Sequence, residues 1–343
     1  MRRVSFGIFD WVDRGTSPLH RLYEERLELV EIADQAGFFC YHVAEHHGTT
    51  LGMASSPTLF LSAVAQRTER IRLGPLVVLL PLYEPMRLIE EVCMLDQLSG
   101  GRLELGVGRG VSPYELACFG VDPAATREIF DEALAVLLAG LTHERLTFEG
   151  RHYRYRDVPI ELQPFQRPYP PLWYPTHNPQ SIDYAARHGF NYVGLGSAEM
   201  LRAAVAAYRQ VWSQHRDDPG RLNGHVAEPK LGVNRQLVVA DTDAEAQAIA
   251  RSAHETWYRS ITKLWHAHGD HAYDGLFSWQ TSVEYETILF GSPARVRDRL
   301  ARLFETSGCN YMIGAFAWGT MSHDESARSM RLFVDEVMPA FAA

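Results

Sequence analysis

Short apolar stretches alternate with helix-spaced stretches along almost the whole of this 343-residue chain. This alternation restricts the fold more than any single motif does. Repeated strand–helix units place their strands parallel, joined by right-handed crossovers. Strands are expected over 4–9, 38–43, 71–80, 103–108, 172–175, 192–195, 231–239 and 311–316. Helices are expected over 19–36, 57–66, 85–98, 125–138, 179–188, 198–215, 243–263, 293–306 and 324–337. Their ends carry local signals: Gly37 after the first helix, Pro85 at the start of the third, and Gly100-Gly101 after it. Eight such units close into a (β/α)8 TIM barrel, an α/β fold; an open doubly wound sheet is the alternative. Two stretches break the pattern. Residues 141–170 hold an alternating, hairpin-like run and then clustered prolines, and 264–291 is rich in His, Gly and aromatics. Both are read as insertions in a single domain over 1–343.

Composition narrows the class. With 46% hydrophobic residues the chain can bury a large core, and its formal charge of −9 with no strongly basic run argues against nucleic acid as a partner. No apolar stretch approaches the roughly 20 residues that span a bilayer, so no membrane partner is expected. The opening MRRVSFGIFDWVD is interrupted by Asp10 and Asp13 and does not read as a signal peptide. Cys40, Cys93, Cys118 and Cys309 are widely spaced, as core residues or free thiols in a reducing cytoplasm would be.

The run HVAEHHGTT from His42 matches the inverted zinc-protease pattern H-x-x-E-H. That pattern binds metal only on a helix, where positions i and i+4 share a face. The preceding Phe38, Phe39, Cys40 and Tyr41 favour a strand, which would hold His42 and His46 roughly 13 Å apart at ~3.3 Å per residue. No metal is expected here. At the end of a barrel's second strand, Glu45, His46 and His47 instead reach the face where such barrels build active sites, and histidine there suits proton transfer. The plainer reading is that they hydrogen-bond the following loop.

Two further runs occupy strand ends. GVGRGVSPYE (106–115) lacks the dinucleotide spacing; its glycines would let backbone approach a ligand, and Arg109 is suited to a phosphate or to a structural salt bridge. In PTHNPQS (175–181), His177, Asn178 and Ser181 open a helix whose free N–H groups could receive an anion. Ordinary capping by Asn178 is the alternative.

Ala44-Glu45-His46-His47, the run LDQLSGGR at 95–102, Gly108-Arg109-Gly110, Phe119-Gly120 and Val337-Met338-Pro339 resemble, in order and spacing, bacterial luciferase and its flavin-dependent monooxygenase relatives. The resemblance implies a barrel that takes reduced FMN as co-substrate. With O2 this forms a flavin hydroperoxide that oxygenates a small organic substrate, and a separate flavin reductase supplies the reduced cofactor. It makes His46 the catalytic histidine, with His47 and Glu45 beside it. It assigns the phosphate to Arg109, His177, Asn178 and Ser181, next to Gly108. The apolar stretch 76–80, Leu79 included, would be a dry wall for the flavin ring, with a non-proline cis peptide near Leu76–Val77. Residues 266–284 match a covering segment; His266, His268 and His271 have loose metal spacing but are read as part of a polar lid. A homodimer through helices beside the second and third strands is expected, and 87–98 fits that role.

Some positions depart from luciferase. Its alpha subunit has Glu-Ser at His177-Asn178, Cys at Gly108, Trp at Gly196 and Asp at Glu115. Phosphate binding stays compatible with His177-Asn178, while loss of the Trp and the Cys reshapes the pocket and points away from light emission and a long-chain aldehyde, towards oxygenation of another small molecule. The alternatives are hydride transfer with FMN or a deazaflavin on the same barrel, and a non-catalytic flavin-binding protein.

Overall fold

The computed structural model describes residues 4–341; Arg2 and Arg3 of the opening run lie outside the described residues. The chain runs β1 (Ser5–Asp10), α1 (Leu19–Ala36), β2 (Cys40–Val43), α2 (Pro57–Arg67), β3 (Arg72–Pro75), β4 (Val78–Leu79), α3 (Pro85–Leu98) and β5 (Leu105–Gly108). After α4 (Pro113–Ala117) and α5 (Thr126–Thr142) come a hairpin of β6 (Arg145–Glu149) and β7 (Arg154–Pro159), then β8 (Leu172–Pro175), α6 (Pro179–His188), β9 (Asn191–Gly194) and α7 (Ala198–His215). The last part holds β10 (Leu231–Val239), α8 (Asp243–Ile261), α9 (Lys263–Ala267), α10 (Trp279–Glu284), β11 (Ile288–Gly291), α11 (Pro293–Ser307), β12 (Tyr311–Ala315) and α12 (His323–Leu332).

The parallel strands follow the order β3-β2-β1-β12-β10-β9-β8-β5-β4, with β11 on β10. β3 and β4 are two pieces of one strand, separated at a cis Leu76–Val77 peptide where the resemblance places one. Next to β5, Leu73 N–H donates to Arg102 O at 3.0 Å and Glu104 N–H to Leu73 O at 2.8 Å. That contact and the β4–β5 register Val78↔Val107 bring the two ends of the sheet together. The result is a nearly closed barrel of parallel strands ringed by helices. The eight expected strands are all present. A ninth, β11, lies in the stretch read as an irregular insertion, and it extends β10 through Gln236↔Ile288 to Val239↔Gly291.

Local chemistry sets the strand entries. Gly37, at φ 80°, ends α1 in the left-handed conformation that glycine adopts freely. Asp34 on the last turn of α1 accepts the N–H groups of Glu69, Arg70 and Ile71 at 3.2, 2.9 and 2.6 Å, fixing the approach to β3. The LDQLSGGR run is a staple of the same kind. Arg102 donates to the carbonyls of Ala65, Ile71 and Ser99 and to the Thr68 hydroxyl, while Asp96 holds the backbone and side chain of Gln166 at 2.8 Å each. Among the described residues, no helix is long and apolar enough to cross a membrane.

Candidate active site

His42 marks the barrel floor. It is fully buried, 3.0 Å from the Tyr311 hydroxyl, with its ring 4.8 Å from Trp173. Burial pushes its imidazole down to about 3, so it stays neutral. Beside it Glu104, also buried, pairs with Arg72 and accepts from Trp173 Nε1 at 2.5 Å. Tyr311 reaches this network because Gly7 has no Cβ; one there would sit 1.9 Å from the Tyr311 hydroxyl. His42 therefore faces the closed interior, and His46 faces elsewhere.

At the mouth, the residues after β2 are held by two carboxylates. Glu115, on α4, accepts from His46 Nδ1 at 3.1 Å through one oxygen and from the His47 N–H at 2.9 Å through the other. Glu45 accepts from His47 Nε2 and from the Leu79 N–H, both at 2.8 Å. The Tyr83 hydroxyl also bonds Glu45, and burial with that negative charge pushes the Tyr83 hydroxyl up. The His47 ring packs edge-on to Phe119 at 4.6 Å. These bonds leave His46 distinct from its neighbours. Its Nδ1–H is committed to Glu115, so in the neutral ring Nε2 carries the lone pair, and its side chain keeps 22% exposure. Glu45 is 4% exposed with both oxygens engaged, so it braces His47 and β4.

From the sequence, Glu115 was marked only as a position where luciferase has Asp, and was given no role. A signal existed: Ser112-Pro113-x-Glu115 has the capping-box spacing with proline at the first helical position. Ser112 does cap α4, accepting from Glu115 N at 3.3 Å, but the Glu115 carboxylate turns to the two histidines.

The other side of the mouth is built differently. Going round the barrel from β2, the β3–β4 strand comes next and then β5, so the apolar stretch 76–80 stands between His46 and Arg109. Of that stretch Leu76, Val78, Leu79 and Leu80 are buried. The register Leu105↔Leu172 and Gly106↔Trp173 pairs β5 with β8, so Arg109 and the run 175–181 follow the ends of neighbouring strands. Arg109 is half-buried and makes no hydrogen bond or ion pair among the described residues. His177 and Asn178 are exposed and Ser181 is buried at 9%.

Two of the expected site residues also have structural roles. Asn178 Oδ1 accepts from Gln180 N at 2.9 Å and Ser181 N at 3.4 Å, so those N–H groups at the start of α6 are occupied by the cap. Gly108 also has a packing reason to lack a side chain: a Cβ there would lie 2.5 Å from Val77 Cγ2. What remains free on this side is the Arg109 guanidinium, the Ser181 hydroxyl, the Asn178 amide N–H2 and the His177 ring. An arginine with no internal partner is the residue type that suits a phosphate.

A covering segment crosses the His46 side. Tyr114, next to Glu115, stacks on His268 at 4.2 Å, meets Trp265 edge-on at 5.2 Å and donates to Asp270 at 3.0 Å. The 49–50 loop bonds the end of α8 through Thr49 and Thr50 to Ser260, at 2.6 and 2.9 Å. His268 accordingly leaves the group of three histidines marked in the sequence. Among the described residues the four cysteines are free, with only Cys118 exposed.

The barrel mouth thus carries a histidine–carboxylate pair on one side and, among the described residues, an unpaired arginine on the other. Residues 4–310 match the luciferase-like monooxygenase family, and the chain belongs to that family. It is 26% identical to the oxygenase component of flavin-dependent trigonelline monooxygenase from Acinetobacter baylyi, over 94% of this chain and 91% of that protein. The solved monooxygenase RslO1 from Streptomyces bottropensis superposes with a TM-score of 0.86 at 27% identity, covering 98% of this chain and all of that one. The oxygenating constituent of 3,6-diketocamphane monooxygenase from Pseudomonas putida, solved with FMN, has the same fold at a TM-score of 0.80 and 21% identity, over 98% of each chain.

Proposed function

We propose that this protein is the oxygenase of a two-component system, taking reduced FMN from a separate reductase and oxygenating a small organic substrate. The observation that carries the reading is the pairing of His46 with Glu115 across an apolar wall from the unpaired Arg109. Arg109, with Ser181, Asn178 and His177, would hold the FMN phosphate, and Leu76–Leu80 would lie against the ring. When bound, reduced FMN supplies two electrons to O2, so that one oxygen atom enters the substrate and the other leaves as water.

The chain's own groups then have separate tasks. His46 exchanges a proton through Nε2, because Glu115 fixes Nδ1. His47 supports the loop, and Glu45 ties it to β4. The segment holding Tyr114 shields the His46 side from water. Val111 and Phe119 beyond β5, and Leu195 and Met200 beyond β9, are exposed apolar groups at the mouth. They suit a substrate with an apolar face. Leu59 on α2 and Met94 and Leu98 on α3 are exposed at 75%, 52% and 48%; we assign this face to a second copy of the chain.

The test is to mix the protein and reduced FMN with oxygenated buffer and follow the return of oxidised-flavin absorbance in a stopped-flow instrument. The reading expects a return much slower than for free FMN, with the delay lost in Arg109→Ala. Direct reduction of bound flavin by NADPH or a reduced deazaflavin, with no change in the oxygen reaction, would overturn it in favour of hydride transfer.

A further inference from the structure

The segment between α8 and β11 carries a cluster that the reading above does not use. His266 Nε2 lies 2.6 Å from Asp274 Oδ1, and His271 Nδ1 lies 2.8 Å from Asp274 Oδ2. The two imidazole rings are 4.7 Å apart at 34°. One donor atom from each residue lies within 4.8 Å of the other two. We propose that His266, His271 and Asp274 form a binding site for a divalent transition-metal ion of the zinc class.

The donor set argues for this class. Two imidazole nitrogens and one carboxylate oxygen suit zinc, cobalt or nickel, whereas calcium and magnesium prefer all-oxygen shells. A zinc ion with bonds of about 2.0–2.2 Å needs the two histidine–carboxylate separations, 2.6 and 2.8 Å here, to open only a little. The three residues fall within one short turn of chain, so little ordering of the backbone is required. Asp274 also receives the Tyr258 hydroxyl, the outer-shell contact that orients a ligating carboxylate. Water would complete the shell, since His271 is 65% exposed.

A second trio, Glu128, Glu132 and His152, shows what a non-site looks like. There Arg151 pairs with Glu128 at 3.0 Å, and Glu132 already accepts the N–H groups of Arg151, His152 and Tyr153. A resident cation and backbone donors fill that position. Among the described residues no lysine or arginine pairs with Asp274.

The site's place gives the ion a task. The same stretch presents Trp265, His268 and Asp270 to Tyr114, whose neighbour Glu115 holds His46. An ion joining residues 266, 271 and 274 would fix this covering turn over the mouth. The proposal does not depend on the flavin reading.

The test uses full-length, tag-free protein stripped with a chelator and titrated with Co2+ by absorbance and with Zn2+ by calorimetry. One ion per chain is expected. Asp274→Asn and His271→Gln should weaken it by more than the roughly 10–100-fold that loss of an outer-shell partner costs, and Tyr258→Phe by about tenfold. His268→Gln should leave the stoichiometry at one. Absence of binding to the wild-type chain, or binding unchanged in both ligand variants with native circular dichroism, would overturn the proposal and leave the trio as a hydrogen-bonded turn.

Discussion

His46 and Arg109 stand at the same end of the barrel, beyond β2 and β5, and their surroundings differ in kind. Around His46, Glu115 and Glu45 engage a ring nitrogen of each histidine and the backbone N–H groups of His47 and Leu79. Around Arg109, the guanidinium has no partner among the described residues. A proton-transfer group gains from being fixed before substrate arrives, because misplacement costs rate directly. A phosphate-binding cation gains from being unpaired, because an internal ion pair would have to be broken first. The wall Leu76–Leu80 keeps the two environments apart.

Substitutions on each side should therefore separate rate from affinity. His46→Ala should have the largest effect, lowering oxygenation roughly 10²–10⁴-fold with reduced FMN still bound; full turnover would remove His46 from the chemistry. Arg109→Ala should act on the other term, raising the Kd for FMN by about 10–100-fold, the loss of a charge-assisted hydrogen bond. Unchanged affinity by flavin fluorescence would move the phosphate elsewhere. Glu115→Gln should reduce kcat roughly tenfold, about one hydrogen bond's worth, while FMN affinity stays level. An equal rise in FMN Kd with kcat unchanged would make Glu115 merely structural. Asn178→Ala should do least, lowering unfolding free energy by about 1 kcal/mol through the lost cap. A rise in FMN Kd as large as that of Arg109→Ala would mean that its amide is a main phosphate donor.

The same contrast explains what could be read from the chain. The ends of α1, α3, α6 and α7 fall where the sequence puts them, because Gly37, Pro85, Pro179 and Ser197 act within one turn of the ends they set. His46 and Arg109 were visible because each sits beside a strand end. The pairing of Glu115 with His46 was not, because that bond spans 69 residues and competes with a plausible local capping role. β11 escaped for a related reason: four residues in a polar, aromatic stretch become a strand only by pairing with β10.

The sequence by itself determined the strand–helix order, and with it the barrel, since parallel strands joined by short crossovers have few other ways to close. Only the tertiary structure decided which acid meets which histidine, that Val77 fills the space Gly108 leaves open, and that His268 yields to Asp274 beside His266 and His271. Periodicity and capping are local and survive in one dimension. Side-chain pairing depends on which strand ends are brought together, and that is fixed only when the barrel closes.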